Sequence, residues 1–174
     1  MRRGELLGRR WQDVDWDHEM LRVRQPVGPI RGTVAIKPLK GKNATRDVRV
    51  DPAVMEALGA HRVRQNAWRL RLGTAWQDHG LIIASEIGTP VNPNNLYRVY
   101  IKLIAAAGVP KIRIHDQRHT HVTWALEEGA DLKAVSRRVG HSKTAITSEI
   151  YQRVTVKLET DVVSKVSGKL FVSG

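Results

Sequence analysis

A change in apolar spacing at Asp51-Pro52 constrains the fold of this chain more than any other feature. Before it, residues 20–27, 33–39 and 46–51 alternate loosely between apolar and polar side chains, with glycine and proline between the first two segments. This pattern predicts three short antiparallel strands joined by turns. An Asp-Pro pair favours a helix start, because aspartate caps and proline fits the first helical position. The sequence therefore predicts an α+β fold, mostly α-helical, with a small three-stranded antiparallel sheet near the N-terminus.

Helical spacing dominates the rest of the chain. The predicted helices cover residues 3–14, about 52–72, 92–107, 115–128, 131–140, a stretch from about 144, and 156–166. Gly108 and Gly129 are expected to end two of them, since glycine commonly follows a helix C-terminus. The apolar run 81–85 has no assigned type. No internal repeat, low-complexity tract or linker interrupts the sequence, which predicts a single mixed domain.

The charge balance indicates a polyanionic partner. Lysine and arginine number 29 against 17 acidic residues, giving a formal charge of +12, and the pI is near 10.6. Nucleic acid is the simplest such partner, and a basic but passive surface is the alternative. The chain has no cysteine, which excludes a disulfide framework, a thiol nucleophile and a cysteine-based zinc site.

Neither a signal peptide nor a membrane span is expected. The basic start Met1-Arg2-Arg3 is not followed by the apolar stretch that a signal peptide needs. No apolar run approaches the roughly 18–20 residues that cross a bilayer. A cytoplasmic protein without membrane attachment is therefore the prediction.

Four short motifs follow one another along the chain and carry its chemistry. Arg2 and Glu5 stand in an R-x-x-E-L phrase, and His115 and Arg118 stand in H-D-Q-R-H-T-H. A Gly-His-Ser turn and a late tyrosine come last. Phosphodiester transfer needs a nucleophile, cations on the nonbridging oxygens and an acid for the leaving oxygen. These residue types supply all three, and no acidic cluster suits magnesium, so a metal-free reaction through a phosphotyrosine is chemically reasonable.

Taken in this order, the motifs resemble the catalytic domain of tyrosine recombinases, the phage integrase family, over essentially the whole chain. The resemblance implies the tyrosine-recombinase catalytic-domain fold. It also implies a site-specific DNA recombinase that cuts and rejoins strands through a covalent 3′-phosphotyrosine, with no metal, ATP or other cofactor. A bacterial host, prophage or mobile element is the expected setting, with integration, excision, dimer resolution and transposon movement all open.

The resemblance assigns the two phosphate clamps and a proton acceptor. Arg2 matches the first catalytic arginine, with Arg3 as a rival at the wrong distance from Glu5. Arg118 matches the second clamp, and guanidinium suits phosphate oxygens bidentately. His115 matches the histidine that accepts the tyrosine proton, one helical turn from Arg118. Ordinary surface arginines and a helix-capping histidine remain the alternatives.

The remaining catalytic assignments fall on a hairpin and on the last third of the chain. His141 matches the histidine that bonds the phosphate, and Tyr151 matches the nucleophile. Lys40 matches the general acid for the leaving 5′-oxygen, with Lys42 close behind and Lys37 as a weaker rival. A plain DNA-backbone contact from a basic hairpin is the alternative for these lysines.

Some residues are expected to touch DNA or to support the site without taking part in the chemistry. The expected DNA-binding residues are Arg2, Lys40, Lys42, Arg118 and His119. His115 and His119 have the spacing of a zinc-binding helix, but no third ligand is evident, so no metal is predicted. Glu5 is expected to pair with a neighbouring arginine.

The resemblance also bears on organisation and partners. Relatives carry one or two helices before the first catalytic arginine and usually a separate N-terminal DNA-binding domain. This implies that residues 1–174 are a single C-terminal catalytic domain, a fragment with weak DNA affinity by itself. Double-stranded DNA is the implied partner. A homo-oligomer, a tetramer on DNA, is expected through the C-terminal segment 156–174, with accessory DNA-bending proteins as further candidates. Packing of this segment on its own domain is the alternative.

Two alternative functions stay open at the level of sequence. A type IB topoisomerase-like enzyme would use the same chemistry but rejoin the same strand, so that it relaxes DNA without exchanging it. An inactive or truncated DNA-binding remnant of an integrase would keep the site without using it.

Overall fold

A computed structural model describes residues 1–30, 33–37 and 45–140. The chain forms two compact units, Met1–His115 and Asp116–Gly174. Within the described residues the helices are α1 (Arg3–Leu7), α2 (Pro52–Leu72), α3 (Pro93–Ala106), α4 (Ile114–Glu127) and α5 (Leu132–Val139). The strands are β1 (Val14–Asp15), β2 (Met20–Val23), β3 (Val27–Ile30), β4 (Thr33–Ile36) and β5 (Arg46–Arg49).

A three-stranded antiparallel sheet in the order β1-β2-β5 lies in the first unit. Val14 stands opposite Leu21, and Leu21 stands opposite Val48, so apolar side chains share one face. Val14 and Leu21 pack with Met55 of α2 and with Ile82 in a buried cluster. The core of this unit therefore lies between the sheet and the first half of α2.

The predicted three-stranded sheet is present, but one of its strands was assigned wrongly. The predicted strand 33–39 pairs with β3 in a separate two-stranded hairpin, and the third strand of the sheet is β1. Gly28-Pro29, predicted as a turn, lies within β3. A two-residue strand such as β1 is too short to show alternation, and proline is tolerated at sheet edges.

The predicted helix over residues 3–14 is also wrong in extent. Helix α1 ends at Leu7, and after Gly8 the chain makes a 3-10 turn over Trp11–Asp13. The buried Arg9 side chain explains the break, because it donates hydrogen bonds to backbone carbonyls outside the helix and draws the chain inward. Apolar spacing does not reveal a buried arginine.

The predicted starts of α2 and α3 are confirmed, and so is the predicted cap of α2. The Asp51 side chain accepts a hydrogen bond from the Ala53 N–H at 2.8 Å, with Pro52 at the first helical position. Asn92 caps α3 in the same way and is followed by Pro93. A side-chain acceptor at this position satisfies one of the backbone N–H groups that a helix start leaves unpaired.

The second unit has its own small core. Val122 and Leu126 of α4 pack against Val135 and Val139 of α5, and all four side chains are buried. Gly129 has a φ of +80°, in the left-handed region where glycine is favoured after a helix. The predicted helices over 115–128 and 131–140 are confirmed, and those from 144 onward lie outside the described residues.

No helix in the described part of the chain is long and apolar enough to span a membrane.

Candidate functional site

Arg2 is held at the start of α1 by the glutamate of its own motif. The Arg2 backbone N–H donates to Glu5 Oε2 at 2.8 Å, and the Arg2 guanidinium donates to Glu5 Oε1 at 3.0 Å. The Arg2 side chain is half-exposed, whereas that of Glu5 is only 2% exposed. The R-x-x-E spacing therefore places a buried carboxylate beneath an arginine that reaches the surface, and the expected pairing of Glu5 with an arginine is confirmed.

A second arginine, Arg46 at the start of β5, binds the same carboxylate. Its two terminal nitrogens donate to Glu5 Oε1 and Oε2 at 3.3 and 2.8 Å. Burial by itself raises the pKa of Glu5. The hydrogen bonds from Arg46 and from the Arg2 N–H, together with both positive charges, outweigh burial and lower the pKa from the usual 4.5 to about 2. Glu5 is therefore ionised at any pH at which the protein would work.

Two glycines seat α1 close to the neighbouring backbone. A Cβ on Gly4 would lie 2.7 Å from the carbonyl oxygen of Val27, and one on Gly8 would lie 2.4 Å from that of Gln25. Both distances are shorter than any normal contact, so only glycine fits. Because Gly4 and Gly8 are one helical turn apart, they face the same backbone segment. Their close approach fixes the distance of α1, and so of Arg2 and Glu5, from that segment.

Arg9 locks the end of α1 to the first sheet. Its Nε donates to the Glu5 carbonyl at 2.8 Å, and its terminal nitrogens donate to the carbonyls of Arg22 and Gln25. The side chain is almost fully buried, with the Asp13 carboxylate 3.9 Å away as a counter-charge. Arg9 was not predicted as a functional residue. Its role is to hold the helix on which the Arg2 motif stands.

His115 and Arg118 lie on the first turns of α4, one turn apart. His115 is exposed, whereas Arg118 is only 6% exposed. Residues three apart on a helix are about 5–6 Å apart at Cβ, so the two side chains leave the helix from neighbouring positions. Burial restricts the orientations that the Arg118 side chain can adopt.

A surface pocket of about 410 Å³ lies beside His115 in the first unit. It is lined by Met1, Arg3, Tyr97, Arg113, Ile114 and His115. Arg3, the rival of Arg2, therefore faces the same pocket as the candidate proton acceptor. Two guanidinium groups and an imidazole around one pocket favour an anion, and a phosphate group fits this chemistry.

The other histidines of α4 differ in their surroundings. His119 is half-buried. Arg138 Nε of α5 lies 3.2 Å from His121 Nε2, a geometry that requires this nitrogen to accept. Partial burial and the charge of Arg138 both lower the pKa of His121. His121 therefore stays neutral near pH 7 and joins α4 to α5.

Four predicted site residues, Lys40, Lys42, His141 and Tyr151, lie outside the described residues. Lys37, the weaker rival of Lys40, is described: its N–H donates to the Pro26 carbonyl at 2.8 Å. Its side chain covers Gly28 across the β3-β4 hairpin, 3.5–3.6 Å from where a Cβ would stand.

Metal ligands are not grouped in the described ranges. There, no three histidine, aspartate or glutamate side chains come together in a way that would hold a metal ion. His115 and His119 keep the spacing of a zinc helix but have no third such group beside them in those ranges.

One buried arginine was missed although the sequence contained a signal for it. Arg46 and Val48 are the buried positions of β5, and Asp47 and Arg49 are the exposed ones. Strict alternation places Arg46 on the core face, where an arginine requires an acidic partner. The sequence could have shown that Arg46 requires an acidic partner, but not that this partner is Glu5.

Known proteins match this chain over the stretch that carries these motifs. Residues 1–157 match the model of the phage integrase family. A tyrosine recombinase XerC-like protein of Caldanaerobacter subterraneus subsp. tengcongensis is 34% identical over 175 residues, covering 94% of this chain and 45% of that protein. An integrase of Streptomyces ambofaciens is 28% identical over 162 residues, covering 85% of this chain and 42% of its own length. The chain spans a little under half the length of these curated relatives.

Two solved structures share the fold. The Tn1549 transposon integrase in complex with circular intermediate DNA superposes with a TM-score of 0.70 at 19% identity, covering 87% of this chain and 51% of that one. The XerA recombinase superposes with a TM-score of 0.66 at 25% identity, covering 92% of this chain and 52% of that one.

Proposed function

This chain belongs to the phage integrase family, and on that basis we propose that it is the catalytic domain of a site-specific DNA recombinase. It cuts and rejoins DNA through a covalent 3′-phosphotyrosine. The fold predicted from the motifs is confirmed by the likeness to solved recombinases. The observation that carries the proposal is the half-exposed Arg2, held by a buried and ionised Glu5 at the head of the family motif.

The cleavage step uses one nucleophile and a set of fixed cations. The Tyr151 oxygen attacks phosphorus, a bond from the tyrosine oxygen to phosphorus forms, and the bond to the 5′-oxygen breaks. Arg2 and Arg118 neutralise the nonbridging oxygens, where negative charge grows in the transition state. His115 accepts the phenol proton, and Lys40 gives a proton to the departing 5′-oxygen.

The rejoining step reverses these roles. The 5′-hydroxyl of another strand attacks the phosphotyrosine, so the tyrosine leaves and recovers its proton. His141 bonds the phosphate during both steps. The ester to Tyr151 conserves the energy of the broken phosphodiester, and the scheme therefore includes neither ATP nor a metal ion.

Double-stranded DNA is the proposed partner, in the cytoplasm of a bacterial host. The formal charge of +12 supports this, because phosphate contacts dominate DNA affinity. The similar Tn1549 integrase was solved with DNA, and the XerH recombinase was solved with its difH substrate. We propose assembly of several copies on DNA through the segment 156–174, with accessory DNA-bending proteins as further partners.

Strand exchange between two duplexes tests this function. Two differently labelled duplex libraries with randomised sites are incubated with the protein, and chimeric junctions are sequenced. The matched variants are Arg118→Ala and Arg137→Ala, since Arg137 is an exposed arginine of α5. We expect chimeric junctions from the wild type and Arg137→Ala but not from Arg118→Ala.

The other outcomes of this assay contradict the proposal in different ways. Relaxation of supercoiled plasmid without chimeric junctions would indicate a topoisomerase-like enzyme. DNA binding with neither activity would indicate an inactive remnant.

A further inference from the structure

We propose that Arg46 is a positioning residue that sets the orientation of Arg2 through Glu5. The inference rests on the proposed function, because it gives Arg46 a part in the binding of the scissile phosphate by Arg2. Arg46 itself never touches the phosphate. It acts on the carboxylate that holds Arg2.

The Glu5 carboxylate is bonded by both arginines at both of its oxygens. Oε2 accepts from the Arg2 backbone N–H and from Arg46 Nη2, each at 2.8 Å. Oε1 accepts from Arg2 Nη1 at 3.0 Å and from Arg46 Nη1 at 3.3 Å. The two terminal nitrogens of Arg46 thus fix the plane of the carboxylate. That plane in turn fixes where the Arg2 guanidinium stands.

Exposure separates the roles of the two arginines. The Arg2 side chain is 46% exposed and reaches the surface, whereas the Arg46 side chain is 5% exposed. The Arg2 guanidinium can therefore meet a DNA phosphate, whereas both terminal nitrogens of Arg46 are bonded to the Glu5 carboxylate. Glu5 is the described contact through which Arg46 can act on Arg2.

The backbone around Arg46 is well suited to an anchor. Arg46 pairs with Val23 in the antiparallel register of β2 and β5, next to the core position Val48. A side chain on a paired strand starts from a fixed backbone, whereas Arg2 lies at the first turn of a five-residue helix. Arg46 therefore attaches the Glu5 carboxylate, and through it the Arg2 guanidinium, to a fixed position on the sheet.

The charges around Glu5 explain why loss of Arg46 should be visible in a pH profile. In the described residues the guanidinium groups of Arg2, Arg9 and Arg46 act on this carboxylate. Arg46 provides the largest of the effects that lower the pKa of Glu5 from 4.5 to about 2, against the opposing effect of burial. Without Arg46 the pKa rises, so Glu5 takes up a proton at a higher pH than in the wild type. A protonated Glu5 no longer binds Arg2 as an ion pair.

The experiment compares Arg46→Met, Arg46→Lys and a control on the same strand. Arg49→Met removes an arginine whose side chain is 74% exposed, so it reports the loss of a surface charge. Nicked duplexes with a randomised sequence around the nick serve as substrate. The measured quantities are the rate of covalent phosphotyrosine formation and the affinity for DNA, each over a range of pH.

We expect Arg46→Met to slow covalent complex formation on the order of 100-fold, because small displacements of a clamp have effects of this size. DNA affinity should fall less than about threefold, since one phosphate contact among many is disturbed. Arg46→Lys should recover part of the rate, because lysine restores the charge but not the bidentate geometry. The ratio of wild-type to Arg46→Met rates should grow as the pH falls towards 4.5.

Three results would overturn the positioning role. They are an Arg46→Met rate equal to the wild type, an equal loss of rate and DNA affinity, or a rate ratio independent of pH. If Arg46→Met does not fold, Arg46→Lys decides: a folded variant with wild-type rates overturns the role, and a selective loss of rate supports it. Failure of the wild type to form any covalent complex would instead overturn the proposed function.

Discussion

Nη2 of Arg46 lies 2.8 Å from Oε2 of Glu5, and both side chains are buried. This ion pair joins α1 to β5 across 41 residues of sequence. Removing one member of a buried ion pair leaves the charge of the other member uncompensated, which is strongly destabilising. The stability of the first unit and the orientation of Arg2 therefore depend on the same carboxylate.

Glu5→Gln should lower the stability of the protein in a pH-dependent way. The pKa of Glu5 is about 2 in the folded chain against 4.5 ordinarily, so ionised Glu5 stabilises the fold above pH 4.5. That contribution is of the order of 3 kcal/mol at neutral pH and is lost as the pH falls from 4.5 towards 2. Urea unfolding of wild type and variant at several pH values measures it.

Glu56→Gln is the control for that experiment. Glu56 is exposed on α2, and such changes usually alter stability by less than about 0.5 kcal/mol. A stability difference between wild type and Glu5→Gln that stays constant down to pH 2 would contradict the account of Glu5.

Gly8→Ala should destabilise the protein by about 1–3 kcal/mol, because the new methyl group would lie 2.4 Å from the Gln25 carbonyl oxygen. Gly59→Ala is the matched change, since Gly59 lies within α2 with open space around it. It should stabilise by about 0.5–1 kcal/mol through helix propensity. Thermal unfolding of both variants checks this, and equal shifts in Tm would contradict the close approach of α1.

Gln65→Met should cost about 2–3 kcal/mol of stability. The buried Gln65 side chain accepts from the Trp11 indole N–H at 2.6 Å and donates to the Leu81 carbonyl at 3.2 Å. Methionine fills the volume but leaves the Trp11 indole N–H and the Leu81 carbonyl without the Gln65 amide as a hydrogen-bond partner. Gln117→Met, at an exposed position of α4, should be nearly neutral in the same urea titration. A neutral Gln65→Met would contradict the stabilising role given to these hydrogen bonds.

Much of the helical part could be predicted because its signals are local. Asp51-Pro52 and Asn92-Pro93 mark helix starts, and Gly129 marks a helix end, within a few residues of sequence. The H-x-x-R pair on α4 was also predicted, since a helix keeps residues three apart together.

Contacts between distant residues could not be predicted in this way. The inward turn of Arg9 depends on carbonyls of Arg22 and Gln25, and the partner of Arg46 lies in α1. Strand β1 is too short for a periodic signal. All the functional assignments stay predictions: those of Arg2, His115, Arg118 and His119, and those of Lys40, Lys42, His141 and Tyr151, which lie outside the described ranges.

Covalent trapping tests the central claim most directly. The wild type and Tyr151→Phe are incubated with nicked duplexes that lose the 5′-hydroxyl fragment after cleavage, with a randomised sequence around the nick, and separated on denaturing gels. Tyr100→Phe is the control, since Tyr100 is a tyrosine of α3 that is not among the described residues lining the pocket beside His115. We predict a DNA-linked band from the wild type and Tyr100→Phe and none from Tyr151→Phe. A band that persists in Tyr151→Phe, or no band from any of the three, would contradict the assignment of Tyr151 as the nucleophile of a working strand transferase.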